Sequence, residues 1–276
     1  MTRPARGGRF PLALDQMHNA AGRQHATSTA TSAVLRPQRP VRQAAEDAVR
    51  RGTPSGLGLD SAAVRARMVE RLRADGVTSE PVLQAFAAVE RHRFVDSALA
   101  TQAYEDTSLP IGLQQTISKP SVVARMLALL FETDHARAHG HLGRVLEVGT
   151  GCGYQAALLA RLSRGLVSIE RIKPLYDKAR ENLAPFRHGD VRLVHGDGRL
   201  GHAPRAPYQS IVAAAGGEDL PPAWLEQLAV GGRLVAPVHD AGRGGQVLLV
   251  VDRHADGLSR RWLDAVHFVP LKSGTE

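Results

Sequence analysis

Short apolar segments alternate with helical segments throughout the second half of the chain, and this alternation limits the possible folds more than any other feature. The apolar segments are 144–148, 166–170, 191–195, 210–214 and 232–238. The helical segments between them are 154–163, 173–183 and 222–228. Strands that alternate with helices form a doubly wound, mostly parallel sheet, in which ligands bind at the carboxyl ends of the strands. We therefore predict an α/β fold with its functional site at those strand ends.

The regions on either side of this alternation extend the predicted domain. Two β-rich segments, 246–252 and 262–269, follow with no helix between them, which predicts an antiparallel hairpin at one edge of the sheet. Upstream, residues 59–143 contain three segments with apolar residues at helical spacing. We expect 59–276 to be a single domain, in which 59–143 is a helical substrate or cap region and 144–276 is the cofactor-binding sheet.

The starts of these three upstream helices are predicted from their capping residues. Asp60 or Ser61 can cap the first helix, Ser79 the second and Ser118 the third, which has Pro120 in its first turn. Segment 103–117 lies between the second and third helices and contains a Pro–Gly turn. We predict a loop there.

Most of the positive charge of the chain lies near its N-terminus. The chain has 276 residues and a net charge of +8, and its first 60 residues hold nine arginines against four acidic residues. With Phe10 as its one aromatic residue, this segment buries too little to offset the entropy of ordering its backbone. We expect 1–58 to be a basic, disordered tail. Three interpretations stay open: a dispensable extension or upstream start, a basic arm that contacts nucleic acid, and a transit peptide.

A glycine-rich turn follows the first predicted strand of the sheet. Gly149, Gly151 and Gly153 form the spacing G-x-G-x-G, and Tyr154 stands where a dinucleotide fingerprint would have its third glycine. No Gly-Lys-Ser/Thr follows, so the segment is not a phosphate-binding P-loop. The spacing resembles the first motif of class I S-adenosylmethionine methyltransferases, which implies a Rossmann-like methyltransferase sheet.

Acidic residues follow the next two predicted strands. Glu170 ends the second strand, where a carboxylate can accept hydrogen bonds from ribose hydroxyls, and Asp197 follows the third, where it can accept from the adenine amino group. Cys152 is the one cysteine of the chain, which excludes an internal disulfide and a cysteine-based zinc site and fits a reducing compartment. We interpret it as a small residue that fills the turn rather than a reactive thiol.

The segment Pro110-Ile-Gly-Leu-Gln-Gln-Thr-Ile-Ser-Lys-Pro120 resembles the signature of protein-L-isoaspartate O-methyltransferases. The resemblance extends from Arg93-Phe94-Val95 to Phe268-Val-Pro-Leu271. It implies that Ser118 is the catalytic serine, although a helix cap is the simpler interpretation from sequence alone. The cofactor-binding residues that we expect are Gln115, Thr116, Ile117, Glu147, Gly149, Thr150, Gly151, Gly153, Glu170, Arg171, Asp197 and Gly198.

The resemblance implies an enzyme that methylates the α-carboxylate of isoaspartyl residues in damaged or unfolded proteins and peptides, with S-adenosylmethionine as cofactor. We expect a cytoplasmic monomer without a metal ion. The longest apolar runs, Met126–Phe131 and Val247–Val251, are far shorter than the roughly 20 residues of a membrane span, so we expect no membrane partner. Nucleic acid is the less favoured partner.

Of three other functions, the sequence disfavours base-amino methylation and, through the retained Thr116-Ile-Ser118, a binding module without catalysis, and leaves methylation of small metabolites open. Base-amino methyltransferases usually have an Asn/Asp-Pro-Pro-Tyr/Phe box after the fourth strand, where this chain has Ala213-Ala-Ala-Gly-Gly217. A methyltransferase of small metabolites shares the same cofactor motifs, and a binding module that has lost catalysis would keep them as well. The chain also departs from the commoner family pattern at Gln114, Gln209, Ala213 and Gly216-Gly217, and Lys119 could steer an acidic acceptor.

Overall fold

The computed structural model describes residues 62–186, 189–242 and 244–276. The predicted tail and the predicted caps Asp60 and Ser61 lie outside this part of the chain. Its α-helices are α1 (Ala62–Ala74), α2 (Glu80–Ala88), α3 (Pro120–Phe131), α4 (Asp134–His139), α5 (Tyr154–Leu162), α6 (Lys173–Leu183) and α7 (Pro222–Gln227). None of the described helices is long and apolar enough to cross a membrane.

Two sheets are built from nine strands in the described residues. The strands are β1 (Leu109–Gly112), β2 (Gln115–Ile117), β3 (Arg144–Val148), β4 (Gly165–Glu170), β5 (Asp190–His195), β6 (Tyr208–Ala213), β7 (Leu228–Asp240), β8 (Gly245–His254) and β9 (Gly257–Ala265). β1 and β2 pair as an antiparallel hairpin. The other seven form one sheet in the order β5-β4-β3-β6-β7-β8-β9, parallel from β5 to β7 and antiparallel from β7 to β9.

The predicted fold class is confirmed, including the antiparallel hairpin at the edge of the sheet. β3 starts the sheet, the chain adds β4 and β5 on one side of it, and then β6 and β7 on the other. Strand order therefore reverses at β3, and this switch point is where open α/β sheets bind ligands. Alternate residues of the central strands enter two apolar cores, with Val145 and Val212 on one face and Leu146 and Ile211 on the other.

The helical addition upstream of the sheet packs on the first of these cores. α1 and α2 contribute Met68, Leu72 and Phe86 to it, and the ring of Phe86 meets the ring of Tyr154 edge-on, with centroids 6.1 Å apart. Aromatic pairs in this geometry add a specific term to the burial of apolar surface. Residues upstream of the sheet are therefore fixed against the helix that follows the glycine-rich turn.

One prediction for this upstream region is wrong, and one helix was not predicted. Segment 103–117, which we expected to be a loop, contains the β1–β2 hairpin, because Leu109, Ile111 and Ile117 are buried and only alternate residues of β1 face the core. Pro110 is the exposed residue between two buried ones, and together with Gly112 it made the segment look like a turn. α4 was not predicted, since its six residues are too few to show a helical apolar period.

Candidate active site

The glycine-rich turn lies at the switch point of the sheet. The amides of Gly149 and Thr150 donate to the carbonyl of Ile169 at 2.9 and 3.2 Å, which ties the turn to the end of β4. Gly151 has a φ of 57°, and a Cβ there would lie 3.3 Å from Cδ1 of Ile111 in the hairpin. A side chain here would therefore add strain to the left-handed backbone and crowd the hairpin that covers the turn.

Glu170 ties the turn after β3 to the end of β4. Its two carboxylate oxygens accept hydrogen bonds from the amides of Gly151, at 2.8 Å, and Ile172, at 3.0 Å. The residue is only 5% exposed, yet it borders the cavity above the turn. Each carboxylate oxygen has a second lone pair, so Glu170 can still accept from the two hydroxyls of a ribose.

Glu147 is a buried acid beneath the turn. The Ser168 hydroxyl donates to its Oε2 at 2.5 Å, and the Thr150 hydroxyl lies 2.6 Å from the Ser168 hydroxyl. Complete burial raises the pKa of Glu147 to about 8, although the hydrogen bond from Ser168 opposes this shift. The Gln155 side chain also lies beside this carboxyl group and opposes the shift.

The polar groups around the cavity fit S-adenosylmethionine better than a dinucleotide. This cofactor has two cationic centres, an ammonium and a sulfonium, and the Glu147 and Glu170 carboxyls are the acids at the turn. Tyr154 also stands where a dinucleotide fingerprint would have its third glycine. The N-terminus of α5, which follows Gly153, can accept the carboxylate of the methionyl part.

The C-terminal segment occupies polar groups that we expected to bind the cofactor. The Gly274 amide donates to Oδ2 of Asp197 at 2.7 Å, and the Arg199 amide donates to Oδ1 at 2.9 Å. The Arg171 guanidinium donates to the Gly274 carbonyl at 3.1 Å and to the Glu276 carboxylate at 3.2 Å. This segment therefore forms a wall of the site at the ends of β4 and β5, and no sequence pattern indicated it.

Ser118 follows β2 directly and borders the same cavity. Within the described residues no group forms a hydrogen bond with its hydroxyl, whereas its carbonyl accepts from the Arg91 guanidinium at 2.8 Å. The prediction that Ser118 caps the third helix is wrong, because α3 has Lys119 at its N-cap position. The cap comes from Asp106 instead, whose carboxylate accepts from the Ser121 amide at 2.8 Å and from its hydroxyl at 2.7 Å.

Arg91 is a buried cation that the sequence did not single out. It is fully buried, and it also donates to the carbonyl of Ala103 at 2.7 Å. Its guanidinium carbon lies 4.8 Å from the centre of the Tyr154 ring, a distance typical of a cation–π contact. Arg91 thus joins the 3₁₀ helix Arg91–Phe94, the turn at Ala103 and the Ser118 backbone.

The cavity brings most of the predicted site residues together. Gln115, Thr116, Ile117, Ser118, Gly149, Thr150, Gly151, Glu170, Arg171 and Gly198 border it. Three of the predicted residues do not border it: Glu147 lies beneath the turn, Gly153 caps α5, and Asp197 binds the C-terminal segment. Tyr154, Leu271 and Lys272 border it and were not predicted.

The variant positions lie in different parts of the structure. Gln209 is at the start of β6, at the amino-terminal end of the parallel strands, where its side-chain oxygen accepts from the Arg144 amide at 2.8 Å. It cannot affect the acceptor pocket. Gly216 instead pairs with the C-terminal segment, since its amide donates to Val269 at 2.9 Å and its carbonyl accepts from Leu271 at 2.7 Å.

Residues 63–276 match the family model described as protein-L-isoaspartate(D-aspartate) O-methyltransferase. A relative from Methylibium petroleiphilum, named protein-L-isoaspartate O-methyltransferase, is 63% identical over 97% of this chain and 97% of its own length. A relative of the same name from Leptothrix cholodnii is 57% identical over 99% of this chain and 97% of its own length. The chain belongs to this family.

Solved structures agree with the membership of the chain in the isoaspartate O-methyltransferase family. One protein-L-isoaspartate O-methyltransferase is 26% identical, with a TM-score of 0.67, and the match covers 76% of this chain and 66% of that one. A protein from Plasmodium falciparum, solved with S-adenosyl-L-homocysteine, has a TM-score of 0.65 at 23% identity, and the match covers 75% of this chain and 98% of that one. This second likeness shows the shared fold.

Proposed function

We propose that this chain transfers a methyl group from S-adenosylmethionine to the α-carboxylate of L-isoaspartyl residues in damaged proteins. The observation that carries the proposal is the position of Ser118. Its hydroxyl is free to donate to an incoming carboxylate, beside the cavity whose turn and acids suit a cationic cofactor. Family membership supports the same acceptor, because the relatives are named for this activity.

The reaction needs no general base. An α-carboxyl group has a pKa of roughly 3.5, so the acceptor is already an anion at neutral pH. S-adenosylmethionine supplies an electrophilic methyl group: a carboxylate oxygen forms a bond to the methyl carbon while the carbon–sulfur bond breaks and its electron pair stays on sulfur. Two other groups at the cavity are unsuited to act as bases, since burial raises the pKa of the Cys152 thiol and raises that of Tyr154 to about 12.

The side chains around the cavity then serve mainly to position the two reactants. Holding reacting groups in line can lower a barrier by about 7–11 kcal/mol in favourable cases. Ser118 orients the acceptor carboxylate, and Arg91 fixes the Ser118 backbone from beneath. On the other side, Glu170 would accept from the ribose hydroxyls, and Glu147, whose pKa is raised to about 8, would lie beneath the methionyl part mainly as a neutral carboxylic acid.

The same proposal covers Asp197, whose carboxylate would accept from the adenine amino group. Both of its oxygens already accept one backbone amide, from Arg199 and Gly274. Each has a further lone pair for the adenine. The C-terminal segment would then lie beside the adenine and close that end of the cavity.

The proposal places the reaction in the cytoplasm and on protein acceptors, carried out by a monomer. The single, buried cysteine fits a reducing compartment. The segment after β6, Ala213-Ala-Ala-Gly-Gly217, lacks the side chains that would hold a nucleic-acid base. A methyltransferase of nucleic acid or of small metabolites is therefore the alternative that the assay must exclude.

One assay with three acceptors tests the proposal. The full chain is incubated with radiolabelled S-adenosylmethionine and an isoaspartyl peptide, the same peptide with normal aspartate, or total RNA. We expect base-labile label on the isoaspartyl peptide alone, because only it presents a free α-carboxylate at that residue. Equal labelling of both peptides, or labelling of RNA, would overturn the assignment.

A further inference from the structure

The turn between β1 and β2 has an unusual backbone. Leu113 and Gln114 form this two-residue turn, and both have positive φ angles, of 52° and 58°. Hairpin turns with two left-handed residues favour Asn-Gly, Asp-Gly or Gly-Gly, because other residues meet steric strain in this conformation. Leucine and glutamine therefore carry strain that asparagine or glycine would relieve. Such strain is found most often where a side chain serves a function.

The hairpin holds this turn in a fixed place at the edge of the cavity. Ile111 and Ile117 are buried on the two strands, and Ile111 covers Gly151 of the glycine-rich turn. Gln114 itself borders the cavity. The turn is therefore an anchored feature of the site rather than a remote surface loop.

Leu113 presents an apolar side chain to solvent from this position. It is 53% exposed, although the strands on both sides bury their large apolar residues. Leu113 itself does not border the cavity, but its neighbour Gln114 does, and the apolar residues Val269, Pro270 and Leu271 border the same cavity. Every residue from Gln114 to Ser118 borders the cavity, so the arm of the hairpin between its turn and Ser118 lies along the space that an acceptor would enter.

We propose that Leu113 is a specificity-determining residue, which packs against an apolar side chain next to the isoaspartyl residue of the acceptor. The inference rests on the proposed function and extends it to the sequence around the damaged residue. Burial of a leucine side chain against another apolar group favours the complex, and the half of Leu113 that is exposed is the part available for this contact. The turn keeps a leucine despite its backbone strain because the contact requires an apolar side chain.

Steady-state kinetics with two isoaspartyl peptides test this proposal. One peptide has leucine on both sides of the isoaspartyl residue and the other has serine, at equal net charge. We expect the wild-type kcat/KM to be about tenfold higher for the leucine peptide, the effect of a partly buried apolar pair. In Leu113→Asn this ratio should fall to near one through a higher KM for the leucine peptide, with the KM for S-adenosylmethionine unchanged.

Two further variants and a melting experiment separate a substrate contact from a structural role. Leu113→Met keeps an apolar side chain and should keep the preference. Leu258→Asn replaces a leucine in the edge strand β9 that is 43% exposed. This variant should also keep the preference for the leucine peptide. Because asparagine tolerates left-handed backbone, Leu113→Asn should also raise Tm, by about 2–4 °C.

Each contrary result has a distinct meaning. A wild-type enzyme that methylates both peptides equally, or a Leu113→Asn variant that keeps the preference, overturns the inference while the proposed function stands. A lower Tm in Leu113→Asn also overturns it, since the strain would then be absent. If neither isoaspartyl peptide is methylated by the wild type, the proposed function fails and the inference fails with it.

Discussion

The cofactor side and the acceptor side of this site are built in different ways. The cofactor side consists of the glycine-rich turn and Glu170: the turn is tied to β4 by backbone hydrogen bonds to Ile169, and the Glu170 carboxylate accepts from the amides of Gly151 and Ile172. The acceptor side consists of the hairpin, Ser118 and the start of α3, where side chains form the holding contacts: Arg91 donates to the Ser118 carbonyl, and Asp106 accepts from the Ser121 amide. The sheet thus fixes the cofactor directly, whereas the acceptor loop depends on a few buried polar contacts.

The largest effect that we expect concerns the buried carboxyl of Glu147, beneath the cofactor side. Its pKa is about 8 in the folded protein against 4.5 for an ordinary glutamate, so the folded state binds the extra proton between these values. Stability therefore falls as pH rises from about 4.5 to 8, by an amount on the order of a few kcal/mol.

Urea unfolding of the wild type and of Glu147→Gln across this pH range measures the effect. The wild-type free energy of unfolding should decrease between pH 5 and pH 8 relative to that of the variant, which cannot ionise at this position. Parallel pH profiles for the two proteins would show that Glu147 is not the group responsible.

Ser118→Ala tests the acceptor side. The hydroxyl orients the carboxylate, so we expect kcat/KM for an isoaspartyl peptide to fall about 100-fold, the loss typical of a misplaced reactant. The dissociation constant for S-adenosylmethionine, measured by calorimetry, should change less than twofold. An unchanged turnover would mean that Ser118 has no role in positioning the acceptor.

Glu170→Gln tests the cofactor side with a side chain of nearly the same shape. An amide group has one oxygen, so it can accept from only one of the Gly151 and Ile172 amides and places its NH₂ against the other. We expect about tenfold weaker binding of S-adenosylmethionine in calorimetry and an unchanged KM for the peptide. A higher peptide KM with intact cofactor affinity would contradict the division into two sides.

Removal of residues 1–58 should have the smallest effect. The residues that build the site lie between Arg91 and Glu276, so we expect the truncated chain to methylate an isoaspartyl peptide within about twofold of the full chain. Circular dichroism checks that the shorter chain folds. A large loss of activity or of folding would place the domain boundary further upstream.

The two sides also differ in how far the sequence predicts them. Gly149 and Glu170 could be located because the alternation of strands and helices shows where each strand ends. A tight turn after the first strand requires glycine, and an acid after the second can bind a ribose. Arg91 could not be found in this way, because its role arises from contacts to carbonyls 12 and 27 residues away. The contact between Asp106 and Ser121, 15 residues apart, could not be found for the same reason. The sequence therefore assigned the cap of α3 to Ser118, just before the helix.

The C-terminal segment shows the same limit on the cofactor side. Asp197 was correctly placed after β5, but its contact with Gly274 joins residues 77 positions apart. No local pattern around Gly274 indicates that it reaches the end of another strand. What the sequence predicts is therefore the chemistry of each strand end, while the packing of distant segments over those ends requires the structure.

The most direct test of the proposed reaction is to locate the transferred methyl group. An isoaspartyl peptide and its aspartyl twin are each incubated with the full chain and S-adenosylmethionine, and the products are fragmented by mass spectrometry. We predict one added methyl group on the α-carboxyl of the isoaspartyl residue and none on the twin. A methyl group at any other position, or on both peptides, would contradict the account.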